Sequence, residues 1–369
     1  FLKGYQWPFD PRKAFDGGSS LIDLLVYDQT VVKGRRVFLD FRGDARGDRR
    51  LAPFEPGQLG AEAYAYLEKS GALMATPIAR LRKMNGPAID LYRSHGIDLA
   101  REPLEIAVCA QHNNGGFRGT IWWESTVRGL FAVGEICGTH GVTRPGGSAL
   151  NAGQVGSARA ALFIARRRAE PPPDQAAFGR AAGQAVVETW DRAAAMLKRG
   201  RRRGMRPEEC LAEVKRRMSG CGAVVRDKDV VLEEKARARE LWKRARRELG
   251  ASSADDLPRA FKALDLALTH AVYLEAIGEY LERGGKSRGS YLVPDAAGRA
   301  PHPLLGGRWA FSLAGPADSV SANVLEVRLD GRGRIQKNWV PVRPRPRPEG
   351  WFESVWADYR NDRIVTEED

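Results

Sequence analysis

The chain has 369 residues, 43% hydrophobic and 28% charged, a composition that excludes a disordered, collagen-like or disulfide-scaffold protein. Against 46 Asp and Glu stand 59 Lys and Arg, a formal charge of +13; such a field attracts nucleic acid, acidic membrane surfaces and small anions, but does not set a fold. At about 150 residues per domain, the length predicts two to three domains.

The first residue is Phe1, and the opening seven residues lack the basic start and apolar run of a signal peptide, so the chain is expected to begin inside a longer protein. Up to Glu105 a short β-like run, 36–41, is mixed with helical stretches near 61–70 and 77–95, an α+β segment. His95-Gly96 reads as a helix end, because glycine readily takes the left-handed conformation after the last turn. Between 103 and 165 the pattern changes to short apolar runs, 104–109 and 129–133, separated by glycine-rich turns and followed by a helix from about Ala149 to Arg167.

Pro171-Pro172-Pro173 ends that helix and marks a boundary. Helical patterns then recur around 176–198, 207–218, 231–249 and 257–281. The last holds Asp265, His270, Glu275 and Glu279 at helical intervals, which makes it an amphipathic helix and not a membrane span. After Gly284-Gly285 the chain turns to β-like runs such as 324–329. The four cysteines, Cys109, Cys137, Cys210 and Cys221, form no Cys-x-x-Cys pair; reduced thiols are expected, with no zinc ribbon or iron–sulfur cluster.

The basic clusters at 198–206, 166–168 and 343–347 contain no aromatic residue, so the interleaved pattern of a single-strand binder is missing and no nucleic acid is expected. They read as solvated surface, with an anionic partner, an acidic membrane face and nucleic acid as the alternatives.

Three segments carry chemistry. The apolar run 129–133 reads as a strand ending in Gly134-Glu135, where a carboxylate can accept hydrogen bonds from ribose hydroxyls. Next, Arg144-Pro145-Gly146-Gly147-Ser148-Ala149-Leu150 opens a helix; Ser148 is a plausible N-cap, and the free amides of the first turn suit an anion or a flavin whose N1 and C2 carbonyl gain negative charge. Arg144 beside that helix start suits an anionic substrate. Gly153, Gly156 and Ala160 give the same helix a small-residue face. Upstream, Gln111-His112-Asn113-Asn114-Gly115-Gly116 is a polar loop ending in two glycines, either a site loop or a turn that needs them for its backbone. Trp122-Trp123 follows, shaping a pocket or packing on a sheet.

In this order and spacing the segments resemble the succinate dehydrogenase and fumarate reductase flavoprotein family, with its relative L-aspartate oxidase. The residues that carry the resemblance are 111–116, Gly134-Glu135 and 140–150, then Cys221-Gly222-Ala223-Val224-Val225-Arg226-Asp227 and Ser287-Arg288-Gly289. It implies FAD as cofactor and hydride transfer between flavin N5 and a small anionic carboxylate substrate. By position, Glu135 after Gly134 would bind the FAD ribose, Gly116 would lie near the flavin, the helix start at Ser148 would help to hold the cofactor, and the backbone of Ala149 and Leu150 would contact the isoalloxazine ring. Arg144 would hold a substrate carboxylate, with Gln111 or His112 orienting it. Gln111 stands where the family has its substrate-binding histidine, His112 falls on the tyrosine position, and Tyr291 stands where a histidine usually follows Ser-Arg-Gly.

The resemblance also implies a multidomain α+β and α/β architecture: 1–105 the latter part of a substrate-capping domain, 106–170 the C-terminal part of a Rossmann-like FAD-binding domain, 171–285 a helical domain, and 286–369 a small β-rich segment. No Gly-x-Gly-x-x-Gly fingerprint occurs, so an N-terminal FAD-binding half is expected outside these residues. An electron-transfer protein partner is implied, and a cytoplasmic location with peripheral attachment to a membrane through that partner. The alternative from another class is a non-catalytic flavoprotein fragment acting as a basic interaction module.

Overall fold

The computed structural model describes all residues except 1, 2, 4, 5, 7, 48–51, 111–114, 139, 142, 143, 145, 168–172, 203, 306, 317, 345–349 and 366–369, and the side chains of 167 and 318. In chain order its elements are α1 (Leu21–Tyr27), β1 (Val37–Leu39), α2 (Ala61–Lys69), α3 (Pro77–Ser94), β2 (Leu104–Ile106), α4 (Ser148–Arg167), α5 (Gln175–Gly200) and α6 (Pro207–Arg217). Then follow α7 (Lys228–Glu248), α8 (Leu257–Glu282), β3 (Pro294–Arg299), α9 (Asp318–Ser321), β4 (Asn323–Leu329), β5 (Ile335–Pro341) and α10 (Trp351–Arg360). The chain is a mixture of helices with small sheets and divides into two compact units.

The first unit comprises Phe1–Cys109 together with Asp295–Phe311. Its sheet is one antiparallel pair, β1 on β2, with Val37 opposite Ile106 and Leu39 opposite Leu104. Helix α3 starts where Thr76 accepts a hydrogen bond from the Ala79 amide and Pro77 supplies a preset φ. Pro87 inside it lacks an N–H, and the helix kinks at Asn85 (φ −155°). It ends at His95, with Gly96 at φ 82°. Phe15, Leu24, Tyr27, Leu67, Leu99 and Phe311 are buried in this unit.

The second unit comprises Ala110–Pro294 and Ser312–Asp369. Its centre is α8, which buries Ala260, Ala263, Ala267, His270, Ala271, Leu274, Glu275, Ile277, Gly278 and Leu281. The run of alanines lets neighbouring helices approach closely, and α6 and α7 pack Cys210, Val214, Val231, Ala238 and Leu241 into the same core. Helix α7 is opened by Asp227, whose carboxylate accepts from the Asp229 and Val230 amides at 3.0 and 3.2 Å.

A polar cluster is buried in this bundle. The Arg217 guanidinium donates to Glu234 and, at 2.7 Å, to Glu213, while Arg237 also donates to Glu234 at 2.6 Å. Fully buried Glu275 pairs with Arg239. His270 lies in the same core, where burial and the nearby Arg217 charge pull its pKa down to about 4, against the opposing pull of Glu213, Glu234 and the Ala267 carbonyl. By contrast, the first two-thirds of α5 expose Phe178, Val186, Val187 and Trp190.

The β4–β5 hairpin runs in register from Asn323 opposite Pro341 to Leu329 opposite Ile335. A single carboxylate fastens it to α8: Glu279 accepts from Lys337 Nζ at 2.6 Å, Trp339 Nε1 at 3.1 Å and Arg283 Nε at 3.0 Å. These donors bring its pKa down to about 2.

Helices α2 to α8 lie close to the ranges expected from the sequence, whereas α1, α9 and α10 are not anticipated there, the last two falling in the segment expected to be β-rich; β1 and β2 form within the expected β-like runs, and β4 begins one residue before its own. The expected strand at 129–133 does not form. Its groups are used in a tight hairpin, Ser125 N–H to the Leu130 carbonyl at 2.8 Å and Ala132 N–H to the Trp123 carbonyl at 3.1 Å, with one bridge between Glu124 and Phe131. Both sheets among the described residues are two-stranded and antiparallel.

Two stability windows follow. Glu279 titrates lower in the folded chain than in the unfolded one, so its contribution is complete above pH 4.5 and fades as the pH falls toward 2. Glu279→Gln should cost about 2 kcal/mol at pH 7, the scale of hydrogen bonds to a charged group, and the gap from wild type should shrink by pH 3 in denaturant titrations. His270 is held neutral, so its contribution is complete above pH 6.5 and fades toward pH 4; His270→Leu should flatten stability across that interval.

Candidate functional site

The glycine pair that ends the polar loop is required by backbone contact. The Phe117 amide donates to the Ile136 carbonyl at 2.9 Å, and a Cβ on Gly116 would lie 2.2 Å from that same oxygen. Gly138, at φ 63°, would place a Cβ 2.7 Å from the Gly115 carbonyl carbon. Residues 115–116 and 136–138 therefore touch main chain to main chain.

The second of these stretches continues the one-turn 3-10 helix Gly134–Cys137. Gly134 takes φ 85°, which turns the chain sharply after the extended Val133. The Glu135 carbonyl receives the Gly138 amide at 2.8 Å, while its carboxylate is exposed and has no hydrogen-bond or ion-pair partner among the described residues. Cys137 is buried, its Sγ donating to the Ala132 carbonyl.

Helix α4 begins at Ser148 itself, after Gly147 at φ 79°, so Ser148 is the first helical residue and not the N-cap. The first intrahelical bond joins the Asn151 amide to the Gly147 carbonyl at 3.0 Å. The amides of Ala149 and Leu150 precede it and have no acceptor among the described residues, and Leu150 is 76% exposed. A Cβ added at Gly146 or Gly147 would meet nothing within 4 Å, so the space before the helix is open.

Arg144 is half-buried, and its Nη1 donates to the Gly141 carbonyl at 2.7 Å. The guanidinium is thus oriented by its own loop. Gln111 and His112 lie outside the described residues.

The small-residue face of α4 explains how these parts are held together. Gly153 meets Gly134, each placing a would-be Cβ 3.6–3.7 Å from the Cα of the other. One turn on, Gly156 is covered by the Trp123 indole, whose Cε2 would stand 2.4 Å from a Cβ there. Next come Ala160 and Phe163, both buried, with Trp122 stacked on Phe163 at 5.5 Å between centroids and the Arg159 guanidinium 4.3 Å from the Trp122 ring centre. The tryptophan pair packs on α4 and on no sheet. The spacing of Gly153, Gly156 and Ala160 is the signal in the sequence; what fills the notch is not visible there.

Apolar side chains stand exposed near this centre, among them Phe117, Leu130 and Ile136. An exposed carboxylate, the Ala149 and Leu150 amides with no acceptor among the described residues, and an open glycine-lined approach form a set of groups that fits a dinucleotide: hydroxyls for the carboxylate, an electron-rich ring edge for the amides.

No protein-family model matches the chain. Over 72 residues it is 42% identical to a subunit of the fumarate reductase (CoM/CoB) of Methanothermobacter marburgensis, a stretch that is 19% of this chain and 13% of that protein. Over 75 residues it is 40% identical to L-aspartate oxidase of Streptomyces coelicolor, covering 20% of this chain and 13% of the relative. Among solved structures, a quinol-fumarate reductase with menaquinol molecules superposes with a TM-score of 0.57 at 16% identity, over 90% of this chain and 50% of that one. The Mycobacterium smegmatis Sdh1 complex in the apo form gives 0.53 at 18% identity, over 88% and 49%. The chain thus spans about half the length of the structures it resembles, and the matched stretches are a small part of the curated relatives. Along those stretches the chain is similar in sequence to fumarate reductase and L-aspartate oxidase, and over most of its length its fold is that of the quinol-fumarate reductase chain.

Proposed function

We propose that the chain is part of an FAD-dependent oxidoreductase acting on a small anionic carboxylate, its cofactor site completed by residues outside these 369. One observation carries the reading: the exposed Glu135 carboxylate and the amides of Ala149 and Leu150, which have no acceptor among the described residues, are fixed relative to each other by the Gly134–Gly153 backbone contact. When bound, FAD supplies a hydride donor or acceptor at N5. Glu135 accepts from the cofactor's ribose hydroxyls, and Gly134 lets the chain turn so that this carboxylate faces outward. The first turn of α4, Ser148 to Leu150, presents its positive end to the ring edge where negative charge develops on reduction. Gly116, fixed against Ile136, keeps bulk away from the ring.

Arg144 takes the substrate carboxylate, its plane set by the bond to Gly141. Gln111 or His112 completes the binding by hydrogen bonds; with Gln111 in place of a cationic histidine, the site holds the substrate's second polar group without adding charge. The exposed Phe117, Leu130, Ile136 and Leu150 are the surface that the rest of the cofactor domain covers. Electrons leave or arrive through a redox protein partner. Among the described residues no helix is long and apolar enough to cross a membrane, and attachment to one is assigned to that partner.

The test expresses the chain joined to its natural upstream sequence, and a flavin absorption spectrum is expected. Glu135→Gln should weaken FAD binding about tenfold, the loss of one charge-assisted hydrogen bond. Arg144→Ala should raise KM for the carboxylate substrate about a hundredfold at unchanged flavin content. Intact turnover in Arg144→Ala would remove that arginine from the site.

A further inference from the structure

Trp123 sits in the left-handed region at φ 65°, a conformation that is strained for a bulky side chain and persists only where the surroundings enforce it. The enforcement is visible on three sides. Its amide donates to the Thr120 carbonyl at 3.0 Å and its carbonyl accepts from the Ala132 amide at 3.1 Å, so the backbone is pinned within the hairpin. A Cβ on Gly119 would already reach its Cα at 3.6 Å. The indole then lies on α4 at Gly156, where a side chain would come within 2.4 Å of Cε2 and 2.6 Å of Cζ2.

From this geometry we infer that Trp123 is a positioning residue for the cofactor site, setting the register of α4 against the turn that carries Glu135; this rests on the flavin reading given above. Gly153 against Gly134 and Gly156 against Trp123 are successive contacts on one helix face, three residues apart. The glycine–glycine contact is smooth and permits sliding along the helix axis. An indole seated in the Gly156 notch does not. The strained backbone at Trp123 aims the ring into that notch, and the notch fixes where the first turn of α4, two turns away, stands relative to Glu135. Trp122 serves differently: its stack on Phe163 lies further along the helix and contributes to the core.

The experiment uses the full flavoprotein, including its upstream sequence, and measures FAD affinity by flavin fluorescence, the visible flavin circular dichroism, the melting temperature, and amide exchange along 147–156 in the flavin-free protein. Gly156→Ala should weaken FAD about tenfold, change the flavin band and speed exchange in the first turns of α4. Combining it with Trp123→Gly, which removes the obstructing ring and tolerates the positive φ, should restore exchange toward wild type and recover part of the affinity. Trp122→Phe should lower the melting temperature while leaving FAD affinity within about twofold, since its stack on Phe163 lies further along α4, away from the Gly156 notch. The inference is overturned if Gly156→Ala lowers the melting temperature with affinity, flavin band and exchange unmoved, or if Trp122→Phe shifts affinity equally. A wild-type protein that takes up no flavin, yet shows the exchange response, would sink the flavin reading and leave the seating of Trp123 standing.

Discussion

Main chain comes this close to main chain only where a Cβ is missing at the point of contact, and the candidate site is built on that constraint. Gly134 and Gly153 meet almost Cα to Cα, and Gly116 lies against the Ile136 carbonyl. Remove these contacts and Glu135, the helix start at Ser148 and the hairpin ending in Phe131 become separate objects. The glycines therefore have a packing reason that stands apart from any ligand. A cofactor site gains from it because polar groups held by backbone contact lose little freedom on binding.

Charge is arranged by a related economy. A net +13 would weaken a compact chain by self-repulsion, yet much of the basic excess near α7 is tied up locally. Arg237 is paired with Glu233 and Glu234, and Arg217 with Glu213 and Glu234; Arg239 reaches across to Glu275 on α8. The last of these closes the α7–α8 seam, where alanines bring the helices near enough for a long side chain to span the gap. Glu279, one turn beyond Glu275, faces the hairpin instead and gathers Lys337, Trp339 and Arg283. Helix α8 thus holds a helix and a sheet with two carboxylates one turn apart.

The helices are legible in the sequence because their signals are local. Thr76, Asp174 and Asp227 each accept from amides two or three residues on, and the apolar spacing gives the buried face. Residues 129–133 read as a strand in isolation, but a strand exists only through its neighbours, and this run spends its hydrogen bonds on Trp123 and Ser125. The cap expected at Ser148 falls one residue out because it depends on Gly147 at φ 79°, a conformation the sequence permits but does not declare. The destination of Trp123 is not legible at all, since its partner is an absence: a notch where Gly156 has no side chain, 33 residues away. On the other hand, the small-residue face of α4 and the Gly134-Glu135 turn can be read directly, because both depend on residue type and spacing alone.

The two charged residues of the site are kept from each other, and that separation has chemical content. Glu135 is exposed and has no cationic partner among the described residues, while Arg144 donates to a backbone carbonyl of its own loop. Had they formed an ion pair, a ligand would first have to break it, and the attraction gained by either group would be offset by the loss of the other. Held apart from a cation, the carboxylate keeps its lone pairs for the hydroxyl donors of the proposed reading. On the cationic side, the Gly141 carbonyl accepts from Arg144 Nη1 and helps to set the guanidinium plane; on the proposed reading, that plane is the one a substrate carboxylate meets.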